Sequence, residues 1–139
     1  MILYEVLRLY PLAVTLTRQT YKQIEIGGVT YPAGVIIELP LLLIHSDPDI
    51  WGSDVHKFNP ERFAEGISKA SKDPGAFLPF SWGPRICIGQ NFALHEAKIA
   101  LCMILQHLEL ELALSYTHAP QSIITLRPTY GAQIKLRAI

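Results

Sequence analysis

The chain has 139 residues, half of them hydrophobic, and its 12 Lys and Arg balance 12 Asp and Glu. That length can bury a core of ordinary size, while a neutral charge balance leaves no electrostatic footprint for nucleic acid and excludes a nucleic-acid binder. The two cysteines, Cys87 and Cys102, form neither a disulfide framework nor a CxxC zinc pair, and no run approaches the roughly 20 apolar residues of a membrane span.

The opening MILYEVLRLYP places Leu3, Val6, Leu7 and Tyr10 on one helical face and stops at Pro11. Glu5 and Arg8 inside it, with no small-residue cleavage site after it, exclude a signal peptide. A helix with no lead-in raises the expectation that a whole fold starts before Met1. Next, Ile24 and Ile26 alternate up to Gly27-Gly28, and Val29 and Tyr31 alternate away from it, which predicts a β-hairpin. GVIIEL (34–39) predicts a third short strand, and Asp47 ahead of Pro48 predicts the N-cap and first turn of a short helix.

Residues 55–84 show little periodicity, with prolines at 60, 74, 79 and 84. A structureless connection of this length is usually functional or a surface wrap. From Gln90 to about Leu108 a helix follows. Its apolar residues, Phe92, Ala93, Ala97, Ala100, Leu101, Ile104, Leu105 and Leu108, cover most of its circumference, so it is expected to be buried, with Cys102 inside it as a small hydrophobe. Leu108, Leu110, Leu112 and Leu114 then alternate with Glu109, Glu111 and Ala113 as a strand. SIITLRP and AQIKLRAI, joined through Thr129-Tyr130-Gly131, predict a closing hairpin. No internal repeat is present. The expected fold class is α+β, mainly α with small antiparallel β-sheets, and residues 1–139 form part of one domain.

The stretch that carries chemistry is FSWGPRICIG, residues 80–89. Cys87 precedes a helix N-terminus, where backbone N–H groups and the helix dipole favour a thiolate, and Arg85 adds a positive charge two residues away. Gly83 and Gly89 give the loop conformations closed to other residues. A thiolate so placed is a nucleophile or a metal ligand. A nucleophile needs a positioned base; the nearest histidine, His95, is eight residues on and faces outward, which disfavours a cysteine hydrolase. A bare zinc ion needs more protein ligands, and the five histidines show no ligand spacing. One thiolate suffices where the metal brings its other ligands, as haem does. A buried cysteine in a Gly-containing turn is the plain alternative.

Phe80, Gly83, Arg85, Cys87 and Gly89 match Phe-x-x-Gly-x-Arg-x-Cys-x-Gly, the signature of the haem-thiolate monooxygenases, and the chain resembles the cytochrome P450 family. EVLR supplies a Glu-x-x-Arg pair and PERF a second family motif in the right order, and HSDPDIWGSDVHKFNPERF is similar to plant microsomal members. The resemblance implies the C-terminal part of the cytochrome P450 fold. It implies haem b ligated at iron by Cys87, with Phe80 packed against the sulfur side of the porphyrin, Gly83 and Gly89 shaping the loop, and Arg85 and Arg18 on the propionates. It makes Glu5, Arg8 and Arg62 a buried structural triad, and Ala13, Val14, Thr15 and Tyr130 substrate contacts.

Further implications are an NADPH-dependent flavoprotein reductase as electron donor, O2 and an apolar small molecule as substrates, and the cytosolic face of the endoplasmic reticulum membrane as location. The membrane anchor, its proline-rich hinge and the distal oxygen-activating helix are expected upstream of Met1, so the chain alone is expected to be inactive. The competing expectation is a truncated, catalytically inactive gene fragment that does not bind haem stably.

Overall fold

A computed structural model describes residues 1–139. The backbone divides into two compact units, residues 1–79 and 80–139.

In the first unit, α1 (Ile2–Leu9) ends where Pro11 cannot continue it. Strand β1 (Thr15–Gln19) follows, then β2 (Ile24–Ile26) and β3 (Val29–Tyr31), which pair antiparallel with Ile26 opposite Val29. Gly27 and Gly28 both take positive φ, 59° and 79°, as a two-residue hairpin turn of that hand requires. Strand β4 (Ile36–Pro40) pairs with β1 antiparallel, from Thr15–Pro40 to Gln19–Ile36. Two short helices come next, α2 (Leu41–His45) and α3 (Pro48–Trp51). The Asp47 side chain accepts from the Asp49 amide at 2.8 Å, the cap anticipated from Asp47-Pro48.

The core of this unit is Trp51, Val55, Phe63, Ala70, Ala76 and Phe77, against which Tyr4, Leu7, Ile44, Ile50 and Ile67 pack. Most of these residues come from the aperiodic stretch after residue 55. That stretch is therefore no loose wrap: it contains 3-10 turns at Pro60–Phe63 and Ile67–Lys69 and turns its apolar side chains inward from irregular backbone.

In the second unit, a 3-10 turn at Gly83–Arg85 precedes α4 (Gln90–His107), the unit's one long helix. Strand β5 (Leu108–Leu112) continues directly from it; β6 (Pro120–Ser122), β7 (Leu126–Pro128) and β8 (Ile134–Ala138) complete the unit. The pairing differs from the hairpin expected of the last two strands. β8 returns to β5, with Glu109 opposite Arg137 and Glu111 opposite Lys135, while β7 pairs with β6. Two of the five register pairs match opposite charges and the other three pair apolar residues, which supports the β5–β8 register. β7, by contrast, is three residues long and ends in Pro128, which has no N–H for a longer ladder.

The burial expected of the long helix is also corrected. Of α4 only Leu94 is buried; Phe92, Ile99 and Met103 are exposed, as is Cys102. An apolar surface on most of a helix's circumference needs packing partners on several sides, and the two-stranded ribbons of this unit are too small to supply them. No helix is long and apolar enough to cross a membrane.

Candidate functional site

Three of the anticipated residues meet in the first unit. Helical spacing sets Glu5 and Arg8 on one face, and Arg8 clasps Glu5 with both prongs of its fork, Nε to Oε2 at 2.8 Å and Nη2 to Oε1 at 2.7 Å. Both side chains have no solvent exposure. Arg62 approaches from the Pro60–Phe63 turn, its Nε 3.8 Å from Glu5 Oε1. The ion pair is thus close in charge but beyond hydrogen-bond reach, and Arg62 Nε is a buried donor with no hydrogen-bond acceptor. Two arginines converge on one carboxylate in a water-excluded setting, where removing either sign leaves the other exposed to the full cost of burial.

The rest of the cluster is built by backbone and by residues that no motif marks. The Asn59 amide donates to Glu5 Oε1 at 3.0 Å. Arg8 Nη1 donates to the His45 carbonyl at 2.8 Å, and Arg62 Nη1 to the Trp51 carbonyl at 2.7 Å. Asp54 takes the outer side of Arg62 at 2.9 Å. The Arg62 guanidinium, and then the Asn59 side-chain NH2, hold its carboxyl below the usual carboxylate range. The Trp51 ring lies under the Arg8 guanidinium, 5.3 Å from ring centre to Cζ, and its indole N–H donates to the Ile44 carbonyl at 3.0 Å. Sequence reasoning missed Asp54, Asn59, Trp51 and His45. All four lie in the run HSDPDIWGSDVHKFNPERF, which resembled family members as a stretch without giving any of these residues a role.

The cysteine loop lies in the second unit. The Cys87 amide donates to the Phe80 carbonyl at 2.8 Å and the Ile86 amide to the Gly83 carbonyl at 3.0 Å, closing residues 80–87 into a tight loop. Gly83 takes φ 72°, as does non-glycine Ser81 at φ 68°, so the chain reverses twice around Trp82. Gly89 departs from the expectation: its φ is −84°, open to any residue. A Cβ at 89 would meet the Cys87 sulfur at 3.8 Å, an ordinary contact, so neither the backbone angle nor the packing around the sulfur requires glycine there. Cys87 is a free, exposed thiol immediately ahead of α4, whose first turn has no side-chain cap. Phe80 is half-buried and Arg85 exposed, and none of the chain's ion pairs uses Arg85.

The remaining candidates fall on ribbons and turns. In the first unit, Arg18 stands on β1 opposite Ile37 and donates to the Thr17 carbonyl at 2.9 Å. Ala13, Val14 and Thr15, all half-buried, lead into that strand, where the Val14 carbonyl accepts from the Leu42 amide. In the second unit, Tyr130 is exposed in the turn between β7 and β8.

The retinoic acid bound cyanobacterial CYP120A1 shares this fold with a TM-score of 0.88 at 30% sequence identity, over 99% of this chain and 32% of that one. The family model for cytochrome P450 matches residues 1–136, and the chain belongs to the cytochrome P450 family. Among plant relatives, Cytochrome P450 CYP72A616 of Paris polyphylla is 58% identical and the 11-oxo-beta-amyrin 30-oxidase of Glycyrrhiza uralensis 55%, each along the whole of this chain. The chain spans 27% of the length of each of these two relatives.

Proposed function

We propose that this chain is the haem-binding C-terminal portion of a monooxygenase that inserts one oxygen atom from O2 into an apolar small molecule, with Cys87 as the protein's ligand to the haem iron. The observation that carries the reading is the closed 80–87 loop, which presents one exposed thiol at the uncapped start of an 18-residue helix.

The donor set fits haem b. No cluster of three or more His, Cys, Asp or Glu side chains forms anywhere in the chain, so a bare metal ion finds no protein coordination shell, whereas haem needs one protein donor. Around that donor the apolar side chains of Trp82, Ile86, Ile88 and Phe92 are exposed, and the unpaired Arg85 guanidinium suits a propionate. When bound, haem supplies the iron that activates dioxygen and the redox chemistry that the side chains lack.

The chain's own residues hold and orient. Cys87, immediately ahead of α4 and with Gly89 beside its sulfur, would ligate the iron. Phe80 shields the sulfur side from water, and Gly83 makes the reversal that aims the loop. Arg18 takes a second propionate. The Glu5–Arg8–Arg62 cluster locks the irregular 55–79 stretch as structural support. Ala13, Val14, Thr15 and Tyr130 contact substrate. Electrons come from NADPH through a flavoprotein reductase, and the working location is the cytosolic face of the endoplasmic reticulum membrane.

The test is the reduced carbon monoxide spectrum of the haem-loaded protein. Cys87→Ser should abolish the red-shifted Soret band, and Cys102→Ser should retain it. Persistence of the band in Cys87→Ser would overturn the ligand assignment, and a folded parent that takes up no haem would favour the inactive-fragment reading.

A further inference from the structure

His45 opens the HSDPDIWGSDVHKFNPERF run but has no role in the reading above, and it is completely buried. Its ring nitrogens face one carbonyl and one amide: Nδ1 is 3.1 Å from the Arg8 carbonyl oxygen, and Nε2 is 3.0 Å from the Leu78 nitrogen. A carbonyl only accepts and an amide N–H only donates, so Nδ1 carries the hydrogen and Nε2 is bare. A single neutral tautomer satisfies both contacts. The ring also stacks on Phe77, 5.8 Å between centroids, and meets Trp51 edge-on at 6.1 Å. It ties the last turn of α1 to the backbone two residues before Phe80.

We propose that His45 is a pH-dependent clamp: neutral, it holds the segment leading into the cysteine loop against α1, and protonated, it releases that segment. A proton on Nε2 would point at the Leu78 N–H, donor against donor. The new charge would also have no partner. From α1 the ring is approached by the Arg8 guanidinium, a like charge; Glu5 is already engaged by Arg8, Arg62 and the Asn59 amide. Asp54 is bound to Arg62, and Tyr4 is the other titratable group of the aromatic cluster. α3 and the segment before Leu78 present the rings of Trp51 and Phe77.

The electrostatics agree with this geometry. Burial lowers the His45 pKa from 6.5 to about 4; the bond to the Arg8 carbonyl opposes that shift and the Arg8 charge adds to it. The released ring binds its proton first, so acid favours release as pH falls below 6.5, and the effect levels off below about 4. Between pH 8 and pH 5 the opening constant should rise about 30-fold.

Hydrogen–deuterium exchange at Leu78 in the full chain, corrected for the intrinsic pH dependence of exchange, reads the clamp directly. Protection should fall about 30-fold from pH 8 to pH 5, while the labelled His45 ring titrates near 4 in an NMR experiment. In His45→Gln the side-chain oxygen can still accept from Leu78 without titrating, and the pH dependence should vanish. Flat protection in the parent, or an equal pH dependence in His45→Gln, would overturn the proposal. Should that variant not fold, the parent ring decides: titration at the free-histidine value refutes the clamp. The clamp lies wholly within residues 1–79, whereas the haem reading above concerns Cys87. Exchange at Leu78 is independent of that reading, so either can fail while the other stands.

Discussion

Replacing Glu5 by Gln keeps the side chain's shape and removes one charge from the interior. In the parent, Glu5 accepts from Arg8 at 2.8 and 2.7 Å and from the Asn59 amide at 3.0 Å, and it faces Arg62 Nε at 3.8 Å. Arg62 retains Asp54 after the substitution, but Arg8, with no solvent exposure, loses its only counter-charge. A buried ion left without its partner costs about 3–5 kcal/mol, against a domain stability of roughly 5–15 kcal/mol. Thermal unfolding should drop by on the order of 10 °C. The control is Glu61→Gln in the neighbouring PERF segment, an exposed carboxylate whose loss should stay within about 0.5 kcal/mol. A double variant, Glu5→Gln with Arg8→Met, separates charge from shape. If the cost comes from the orphaned guanidinium, the double variant should be less destabilised than Glu5→Gln alone. A Glu5→Gln protein unfolding within about 1 kcal/mol of its parent would refute the reasoning, since an unpaired buried arginine cannot be that cheap.

Trp51 fills the centre of the first core and lies under Arg8, so Trp51→Ala should cost about 3–5 kcal/mol; Trp51→Phe, which loses chiefly the N–H bond to the Ile44 carbonyl, about 1 kcal/mol; equal losses in denaturant unfolding would contradict this. Arg137→Ser breaks the ion pair with Glu109 across β5 and β8, and because both partners are exposed it should change stability by less than about 1 kcal/mol and by less still in high salt; a loss near that of Glu5→Gln would show that pair to be shielded.

What could be read from the chain alone were features fixed by near neighbours. The α1 helix ending before Pro11, the Gly27-Gly28 turn with both residues at positive φ, the Asp47-Pro48 cap and the alternation opening β5 each depend on a few consecutive side chains, and each stands in the structure. The buried residues of α1 are nonetheless Glu5 and Arg8, while Val6 and Tyr10 of the expected apolar face are exposed. The five signature positions of the cysteine loop were legible for the same reason, although only the backbone angles separate Gly83, which needs its φ, from Gly89, which does not. Tertiary structure decided the rest. Strand β8 chose β5 over β7 because cross-strand partners and ladder length, which a linear pattern does not display, set the register. α4 keeps its apolar circumference exposed because burial depends on neighbours, not on the helix's own periodicity. The charge cluster joins Arg8 to backbone 37 and 49 residues away and Glu5 to an amide 54 residues away. His45 gains its single tautomer only when Arg8 and Leu78 meet on either side of it. Contacts between residues so far apart leave no period in the sequence, because irregular backbone can bring any position inward while helices and strands do so at fixed intervals.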